Sequence, residues 1–420
     1  MAIKLLIGGS PCTYWSIAQK NNREVEASGM GWELFKNYLI AKEKFKPDFF
    51  LYENNKSASQ AIKDQIAKEF GVGVDPDVRF TYINSALVSA QNRQRFYVTN
   101  FGDIEQPEDR GILLKDILET GDTDREYLQK QQNTMACKPV RVPEPVRVGC
   151  MPSPDGTIKN SQAMRVYSPD GKSVNLTALG GGLGAKTGLY AIPVNTTVEG
   201  KSFCLPATYY KTGENPFSEF GEKKRKPRIV EPIGLATPVE WDDDGRPIKA
   251  TSCASGKTHT VYEVKDRQIT IKGKQYPIKL VDGYYIIRKL TVKECARLQT
   301  MPDDYSKAVS DSQAYKALGN GWTAEVIIHL LNHALKDIPR DEEIIVLSLY
   351  DGIATGRYCL DKMGFTNVKY HAYEIDKYPI MVAMDNYPDI IQHGDAFAVR
   401  EDDWKPPQTR SEWLDELLGA

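Results

Sequence analysis

The chain lacks the cysteine and histidine spacings that build disulfide frameworks and metal sites. Its seven cysteines are an odd number and include no C-x-x-C pair, which argues against both and favours a reducing compartment. Of the five histidines, His329 and His333 are four residues apart, within the apolar run "EVIIHLLNHAL". We interpret them as core or helix-surface residues and predict no metal.

Long apolar runs are also missing. None approaches membrane-spanning length, and no signal peptide precedes the first apolar segment. We therefore expect a cytoplasmic protein without membrane contact. The net charge of −2 carries no global basic signal, so any contact with nucleic acid must come from local patches.

The type of segment changes twice along the 420 residues. Residues 1–105 alternate strand-like and helix-like runs, and residues 286–420 return to that alternation. Between them, residues 106–285 are rich in proline, glycine and Asp-Gly turns. Strand–helix alternation is typical of a parallel sheet covered by helices. We predict an α/β fold in two parts, interrupted by a smaller β-rich domain.

A cysteine follows the first apolar run on a tight turn, in "IGGSPC". Glu53 and Asn54 end the next predicted strand, so a parallel sheet would bring them to the same edge as Cys12. A third segment, "QNRQR", adds alternating polar residues: Gln91, Arg93 and Arg95. Each alone is more simply structural, whereas together they supply a nucleophile, an acid and cationic donors.

A second polar turn lies late in the chain. Asp351, Gly352 and Gly356 lie between an apolar strand and a helix, and Glu374 follows 23 residues after Asp351 at the end of the next strand. This pattern is typical of a nucleotide-containing cofactor at the carboxyl edge of a doubly wound sheet. "HGDA", with Asp395, offers a third contact. The spacing does not separate a dinucleotide from S-adenosylmethionine, and the alternative is a nucleotide-free α/β unit.

Together these segments resemble the C5-cytosine DNA methyltransferases. "GGSPC", "YEN" and "QNRQR" are similar to the family's catalytic blocks, "RKLTVKECARLQTMPDDY" and "ALGNGWTAEVI" to its later blocks, and "LSLYDGIATG", "YEID" and "GDA" to its cofactor blocks. The sequences of these blocks most resemble those of the animal de novo enzymes. The resemblance implies a Rossmann-like S-adenosylmethionine-dependent sheet, with residues 106–285 as the target-recognition domain.

The order of the blocks departs from the family. Its cofactor blocks normally come first, whereas here they come last, from about residue 341. We therefore predict a circularly permuted chain, with the final segment "SEWLDELL" ending beside the first strand.

The resemblance also implies catalytic roles. Cys12 would add to cytosine C6, while Glu53 holds and protonates N3. Arg95 would bind O2 and steady Glu53, and Arg93 would support the loop and a backbone phosphate. Asn54 would fix the turn that carries the cysteine.

For the cofactor, the resemblance places Tyr350 and Ile375 against adenine, Glu374 on the ribose and Asp395 on the adenine amino group. The methionine end would meet Asn320 and Trp322. The complete predicted set is Pro11, Leu34, Asn320, Trp322, Tyr350, Asp351, Gly352, Ile353, Gly356, Glu374, Ile375 and Asp395.

The implied substrate is double-stranded DNA with its target base flipped out. Residues 13–31 fit a mobile loop closing over that base. The predicted DNA contacts are Ser16, Gln91, Lys223, Lys224 and Arg225, the last three within "EKKRKPR" at 222–228. The glycine-rich run at 179–188 would let backbone approach DNA. We expect a monomer; the sequence identifies neither a recognition site nor a cognate restriction nuclease.

Two positions depart from the family's usual residues: Thr13 replaces a glutamine and Asn55 a valine. Neither change removes a reacting group. The alternatives are a tRNA cytosine-5 methyltransferase of the same fold, an inactive DNA-binding regulator, and, more distantly, a small-molecule NAD enzyme.

Overall fold

The computed structural model describes residues 2–16, 23–119, 144–153, 155–158, 164–176, 189–193, 236–252 and 255–409. The helices of this part are α1 (Gly29–Phe45), α2 (Gln60–Phe70), α3 (Val292–Leu298), α4 (Asp311–Asn320), α5 (Ala324–Leu335), α6 (Thr355–Lys362) and α7 (Lys377–Asn386).

Seven of the described strands form one sheet. They are β1 (Ile3–Gly8), β2 (Phe49–Asn55), β3 (Arg79–Asn84), β4 (Gln94–Thr99), β14 (Ile344–Leu349), β15 (Val368–Tyr373) and β16 (Ile391–Gln392). Their order is β16-β15-β14-β1-β2-β4-β3. Neighbouring pairs from β16 to β2 are parallel, and β4 runs antiparallel to β2 and β3.

The centre of this sheet joins the two ends of the chain. Strand β1 pairs on one side with β2 and on the other with β14, where Gly8 lies opposite Leu349. All six residues of β14 are buried, as expected for a strand covered on both faces. Because parallel strands end at one edge, the residues after β1, β2, β14 and β15 meet there. The α/β prediction is confirmed.

The remaining described strands build a second, mainly antiparallel sheet. They are β5 (Arg147–Cys150), β6 (Arg165–Tyr167), β7 (Leu189–Pro193), β8 (Ala236–Trp241), β9 (Pro247–Ser252), β10 (Thr258–Lys265), β11 (Gln268–Ile271), β12 (Lys274–Pro277) and β13 (Gly283–Arg288). The main path is β12-β11-β10-β13-β7-β6-β5, with β9 joining β8 to β10. Gly245, at a φ of 76°, turns the chain between β8 and β9, which suits the Asp-Gly sequence there.

A buried ion pair marks the return to the first sheet. Arg288, at the end of β13, donates to both carboxylate oxygens of Glu294 at 2.7 and 2.8 Å. Glu294 also accepts from the backbone N–H of Thr291, whose side chain accepts from the N–H of Glu294. This capping box begins α3 and leaves the buried carboxylate well supplied with donors.

Candidate active site

The turn that carries Cys12 is held by the end of the neighbouring strand. After β1 the chain passes Ser10 and enters a single 3₁₀ turn, Cys12–Tyr14. The Asn54 side-chain amide donates to the carbonyl of Ser10 at 2.9 Å and lies 3.2 Å from both the Ser10 hydroxyl and the Tyr52 hydroxyl. Asn54 therefore lies where it fixes the position of the turn, while Cys12 itself remains half-buried and free.

Beyond the cysteine, the chain is anchored a second time. The buried Trp15 donates its indole N–H to Glu24 at 3.1 Å, and the same carboxylate accepts from the backbone N–H of Gly31. A Cβ at Gly31 would lie 2.6 Å from both the Glu24 carboxylate and the Trp15 ring nitrogen, so only glycine fits. Both flanks of the predicted mobile loop are thus fixed, and its central residues, 17–22, lie outside the described part.

The Glu53 carboxylate contacts both Arg95 and Trp322. Its Oε1 lies 2.9 Å from Nε of Arg95, and its Oε2 accepts from the indole N–H of Trp322 at 3.0 Å. The residue is 9% exposed and Arg95 is 6% exposed, so the pair is largely withdrawn from water. The chain after β1 passes close to the backbone of Glu53 at Gly9. A Cβ at this position would lie 2.5 Å from the Glu53 carbonyl oxygen, so glycine is needed there.

Arg93 is enclosed by protein, which fits the predicted support of a loop but not the predicted contact with a backbone phosphate. It is 3% exposed, and its guanidinium donates to the carbonyl of Gly321 at 2.8 Å, with further contacts to Gly319 and Asn175. Burial lowers the pKa of Arg93 and neighbouring Arg95 lowers it further, whereas Glu53 and Cys12 raise it.

Gln91 also differs from its predicted role. It does not lie on a strand with Arg95, because β4 begins only at Gln94. Its side chain is fully buried, with neither amide atom hydrogen-bonded, so it does not present a donor or acceptor to DNA. The backbone around it instead joins the second sheet region, where the N–H of Asn92 donates to the carbonyl of Ser173.

Across the edge, Glu374 is held by backbone donors. One carboxylate oxygen accepts from the N–H of Gly352 at 3.0 Å, and the other from the N–H groups of Ile375 and Asp376 at 2.8 Å each. Gly352 has a φ of 65°, which favours glycine. The carboxylate is only partly buried and keeps lone pairs for a further partner.

Asp351 is the buried acid of this half. Ser348 and Tyr370 donate to its Oδ1 at 2.7 and 2.6 Å, whereas Oδ2 is buried with no hydrogen-bond partner. Burial raises the pKa of Asp351 to about 6, against the hydrogen bonds from Tyr370 and Ser348, which lower it. The turn ends at Gly356, where a Cβ would lie 2.2 Å from the Ile7 side chain.

The other predicted cofactor residues differ in exposure. Tyr350 donates its hydroxyl to the carbonyl of Leu34 at 2.8 Å. The Ile375 side chain is 74% exposed, whereas that of Ile353 is 1% exposed and part of the core, so Ile353 offers no side-chain contact. Asp395 is exposed and accepts from the N–H of Phe397. Exposed residues also include Pro11 and Asn320.

A cavity of about 370 Å³ opens between the two sheet regions beside Arg95. It is lined by the segment after β2, by Asn92 and Gln94, and by Val174 and Asn175 from the second region. Ser16 lies next to this cavity. Its hydroxyl is 3.5 Å from the side-chain nitrogen of Asn55, which lines the cavity.

Some predictions fall on residues that the structure does not describe: Lys223, Lys224, Arg225, residues 179–188 and the final segment 411–418. Within the described ranges, no group of histidine, cysteine and acidic side chains is arranged to hold a metal. In the same ranges, no helix combines the length and apolarity needed to cross a bilayer.

Sequence reasoning missed two residues that build the site, Glu24 and Lys172, and gave a third, Trp322, a different partner. Glu24 anchors Trp15. Lys172, fully buried, donates to the carbonyls of Ala86, Ser89 and Ile112 and so joins the second region to the segment before Gln91. The Trp322 indole contacts Glu53 rather than only lining a cofactor cleft. The signal for Glu24 was the pair of glycines at 29 and 31; nothing in the sequence marked Lys172.

A doubly wound α/β sheet with a cysteine turn, an acid–arginine pair and a second acid cluster at one edge defines an enzyme of the cofactor-dependent group-transfer class. The family model for C-5 cytosine-specific DNA methylases matches residues 1–147 and 203–336. The chain belongs to that family and is a cytosine C5 methyltransferase, which implies use of S-adenosylmethionine.

Curated relatives are similar over most of their length. The orphan methyltransferase M.Rho11sI of Bacillus phage rho11s is 23% identical over 440 residues, covering 80% of this chain and 86% of that protein. The orphan methyltransferase M.SPRI of Bacillus phage SPR is 25% identical over 379 residues, covering 77% and 80%.

Solved structures match more distantly. The Entamoeba histolytica methyltransferase EhMeth has a TM-score of 0.41 at 12% identity, covering 80% of this chain and 78% of that one. The S. pombe Dnmt2 methyltransferase has a TM-score of 0.35 at 13% identity, with 74% and 75% covered.

Proposed function

We propose that this protein methylates C5 of cytosine in double-stranded DNA, with Cys12 as the nucleophile. The observation that carries the proposal is the pairing of β1 with both β2 and β14. That pairing sets the cysteine turn between Glu53 on one side and the Asp351–Glu374 cluster on the other. A base-binding half and a cofactor-binding half therefore adjoin at one sheet edge.

The cofactor half fits S-adenosylmethionine. The carboxylates of Asp351 and Glu374 form no ion pair within the described residues, which suits a cationic cofactor, and Glu374, fixed by three N–H groups, suits ribose hydroxyls. The exposed Ile375 side chain and the Tyr350 ring would flank adenine. When bound, the cofactor supplies the methyl group.

On the base half, the thiolate of Cys12 adds to C6 of the flipped cytosine and makes C5 nucleophilic. Glu53 holds N3 and shares a proton with it, and Arg95 binds O2 while steadying the carboxylate. After C5 is methylated, loss of its proton restores the ring double bond and expels Cys12 as thiolate. Cys12 is a free, half-buried thiol, as this addition requires.

We further propose that the chain is a circularly permuted family member. Strands β14, β15 and β16, last in the sequence, complete the sheet beside β1, where the family's cofactor blocks would precede the catalytic cysteine. The predicted DNA contacts beyond the described residues, and the monomeric state, remain predictions.

Bisulfite sequencing of DNA and RNA from a host expressing the protein tests the substrate. Wild type should protect cytosines within a defined DNA sequence, and the Cys12→Ser variant should protect none. Protection confined to tRNA would favour the second candidate function and overturn the DNA proposal. Absence of protection in both nucleic acids would overturn the assignment of Cys12 and the substrate together.

A further inference from the structure

The indole of Trp322 lies on the catalytic side of the cleft. Glu53 has two carboxylate oxygens: Arg95 occupies Oε1 and the indole N–H of Trp322 occupies Oε2, at 2.9 and 3.0 Å. The two donors come from different elements, β4 and the segment between α4 and α5. Each carboxylate oxygen therefore has its own donor, and the two donors together fix the orientation of the carboxylate plane.

The backbone that carries Trp322 is itself pinned. Arg93 donates to the carbonyls of Gly319 and Gly321 at 3.3 and 2.8 Å, and Gln299 donates to the same Gly321 carbonyl at 3.2 Å. Thr323 in turn donates its hydroxyl to Gln299 at 2.9 Å. The same buried guanidinium also donates to Asn175 and to the carbonyl of Leu176, so Arg93 ties the segment that carries Trp322 to the second region of the molecule.

We propose that Trp322 is a positioning residue for Glu53: its indole N–H orients the carboxylate for the target base, and Arg93 sets the position of Trp322. This inference rests on the proposed function and deepens it, since it assigns the indole N–H to the base half rather than to the cofactor's methionine end. A hydrogen bond to a carboxylate is among the stronger kinds in proteins.

The Trp322→Phe variant keeps an aromatic ring but removes the N–H donor together with the five-membered ring, so the double-mutant cycle below separates the lost hydrogen bond from the lost ring volume. With saturating cofactor, we expect the single-turnover rate of methyl transfer to fall about 10- to 100-fold, while affinity for S-adenosylmethionine by calorimetry stays within about twofold. The matched control is Tyr387→Phe, just after α7, which likewise keeps an aromatic ring and loses a donor to a carboxylate, that of Asp361 at 3.5 Å; it should change neither quantity.

A rate loss explained by weaker cofactor binding, or an unchanged rate, would overturn the inference. A double-mutant cycle in denaturant tests the contact without catalysis. Trp322→Phe should lower the unfolding midpoint in the wild-type background and leave it unchanged in Glu53→Ala, or in Glu53→Met, which also lacks an acceptor, if the alanine variant does not fold. Equal shifts in both backgrounds would show that the indole does not act on Glu53.

Failure of the proposed function gives a different pattern. If wild-type protein transfers no methyl group to DNA or tRNA, the proposed function fails, and the unfolding cycle still decides whether Trp322 and Glu53 are coupled.

Discussion

The base half and the cofactor half of the cleft both present acids at the same sheet edge, yet they treat those acids differently. Glu53 is paired with an arginine and an indole from the protein itself. Asp351 and Glu374 are held by hydroxyls and backbone N–H groups, and within the described residues neither forms an ion pair. The proposed base half therefore satisfies its acid with a protein cation, whereas the proposed cofactor half leaves its acids without one.

This difference has a physical reason. A flipped cytosine is neutral and needs a precisely oriented hydrogen-bonding surface, so its acid gains from fixed partners. S-adenosylmethionine carries positive charge, so acids left without protein cations attract it at no cost of displacing one. The predictions below test each half separately.

The largest effect is expected at the nucleophile. Cys12→Ser should reduce methyl transfer by more than about a thousandfold, because a hydroxyl is far less ionised than a thiol and adds poorly to C6. The measurement is a denaturation-resistant adduct between the protein and duplex DNA containing 5-fluorocytosine, formed with S-adenosylmethionine present.

The control for that variant is Cys150→Ser, a change of the same type at a buried position on β5; it should still form the adduct. An adduct that persists in Cys12→Ser would show that Cys12 is not the nucleophile and would contradict the proposed base half.

The next effect isolates the cofactor half. Glu374→Ala should weaken S-adenosylmethionine binding about 10- to 100-fold, because charge-assisted bonds to ribose hydroxyls are lost. Calorimetry measures this directly. Glu43→Ala on α1, an exposed carboxylate, is the control and should bind normally; equal affinity for both variants would contradict an acid-based cofactor half.

Asp351 should affect how the free energy of unfolding depends on pH. Because burial raises its pKa from 3.8 to about 6, the folded state binds the proton more tightly than the unfolded state. Its ionisation therefore costs stability as pH rises through that window, by about 3 kcal/mol for two pKa units. Without cofactor, Asp351→Asn should avoid this loss.

Denaturant unfolding of both proteins from about pH 3.5 to about pH 7, which spans the interval between the two pKa values, measures this difference. The free-energy difference between variant and wild type should grow in favour of the variant with pH and level off above about 6. A constant difference across the range would show that burial does not raise the pKa of Asp351.

The smallest effect is expected at the two positions that depart from the family. Asn55 accepts from the N–H of Ser57 at 3.0 Å, so Asn55→Val should cost about 1 kcal/mol and change kcat/KM only severalfold. Thr13→Gln, at an exposed position, should leave the unfolding free energy unchanged. A large loss from either variant would mean that the base half depends on these substitutions.

Local patterns predicted much of this molecule. The apolar run before Cys12, the Glu-Asn strand end and the late Gly-containing turn each depend on neighbours within a few residues, and the structure contains all of them. The strand periodicity at "QNRQR" misled, because backbone contacts to Ser173 replace strand pairing at Gln91.

The sequence by itself determined which side chains are available and which segments are strands or helices, because burial periodicity and turn chemistry are local. Only the tertiary structure decided that β1 pairs with a strand about 340 residues later, that Arg93 is enclosed rather than exposed, and that Trp322 reaches Glu53. Those outcomes depend on how distant segments dock, and docking follows from the packing of the whole core, which no short stretch of residues encodes.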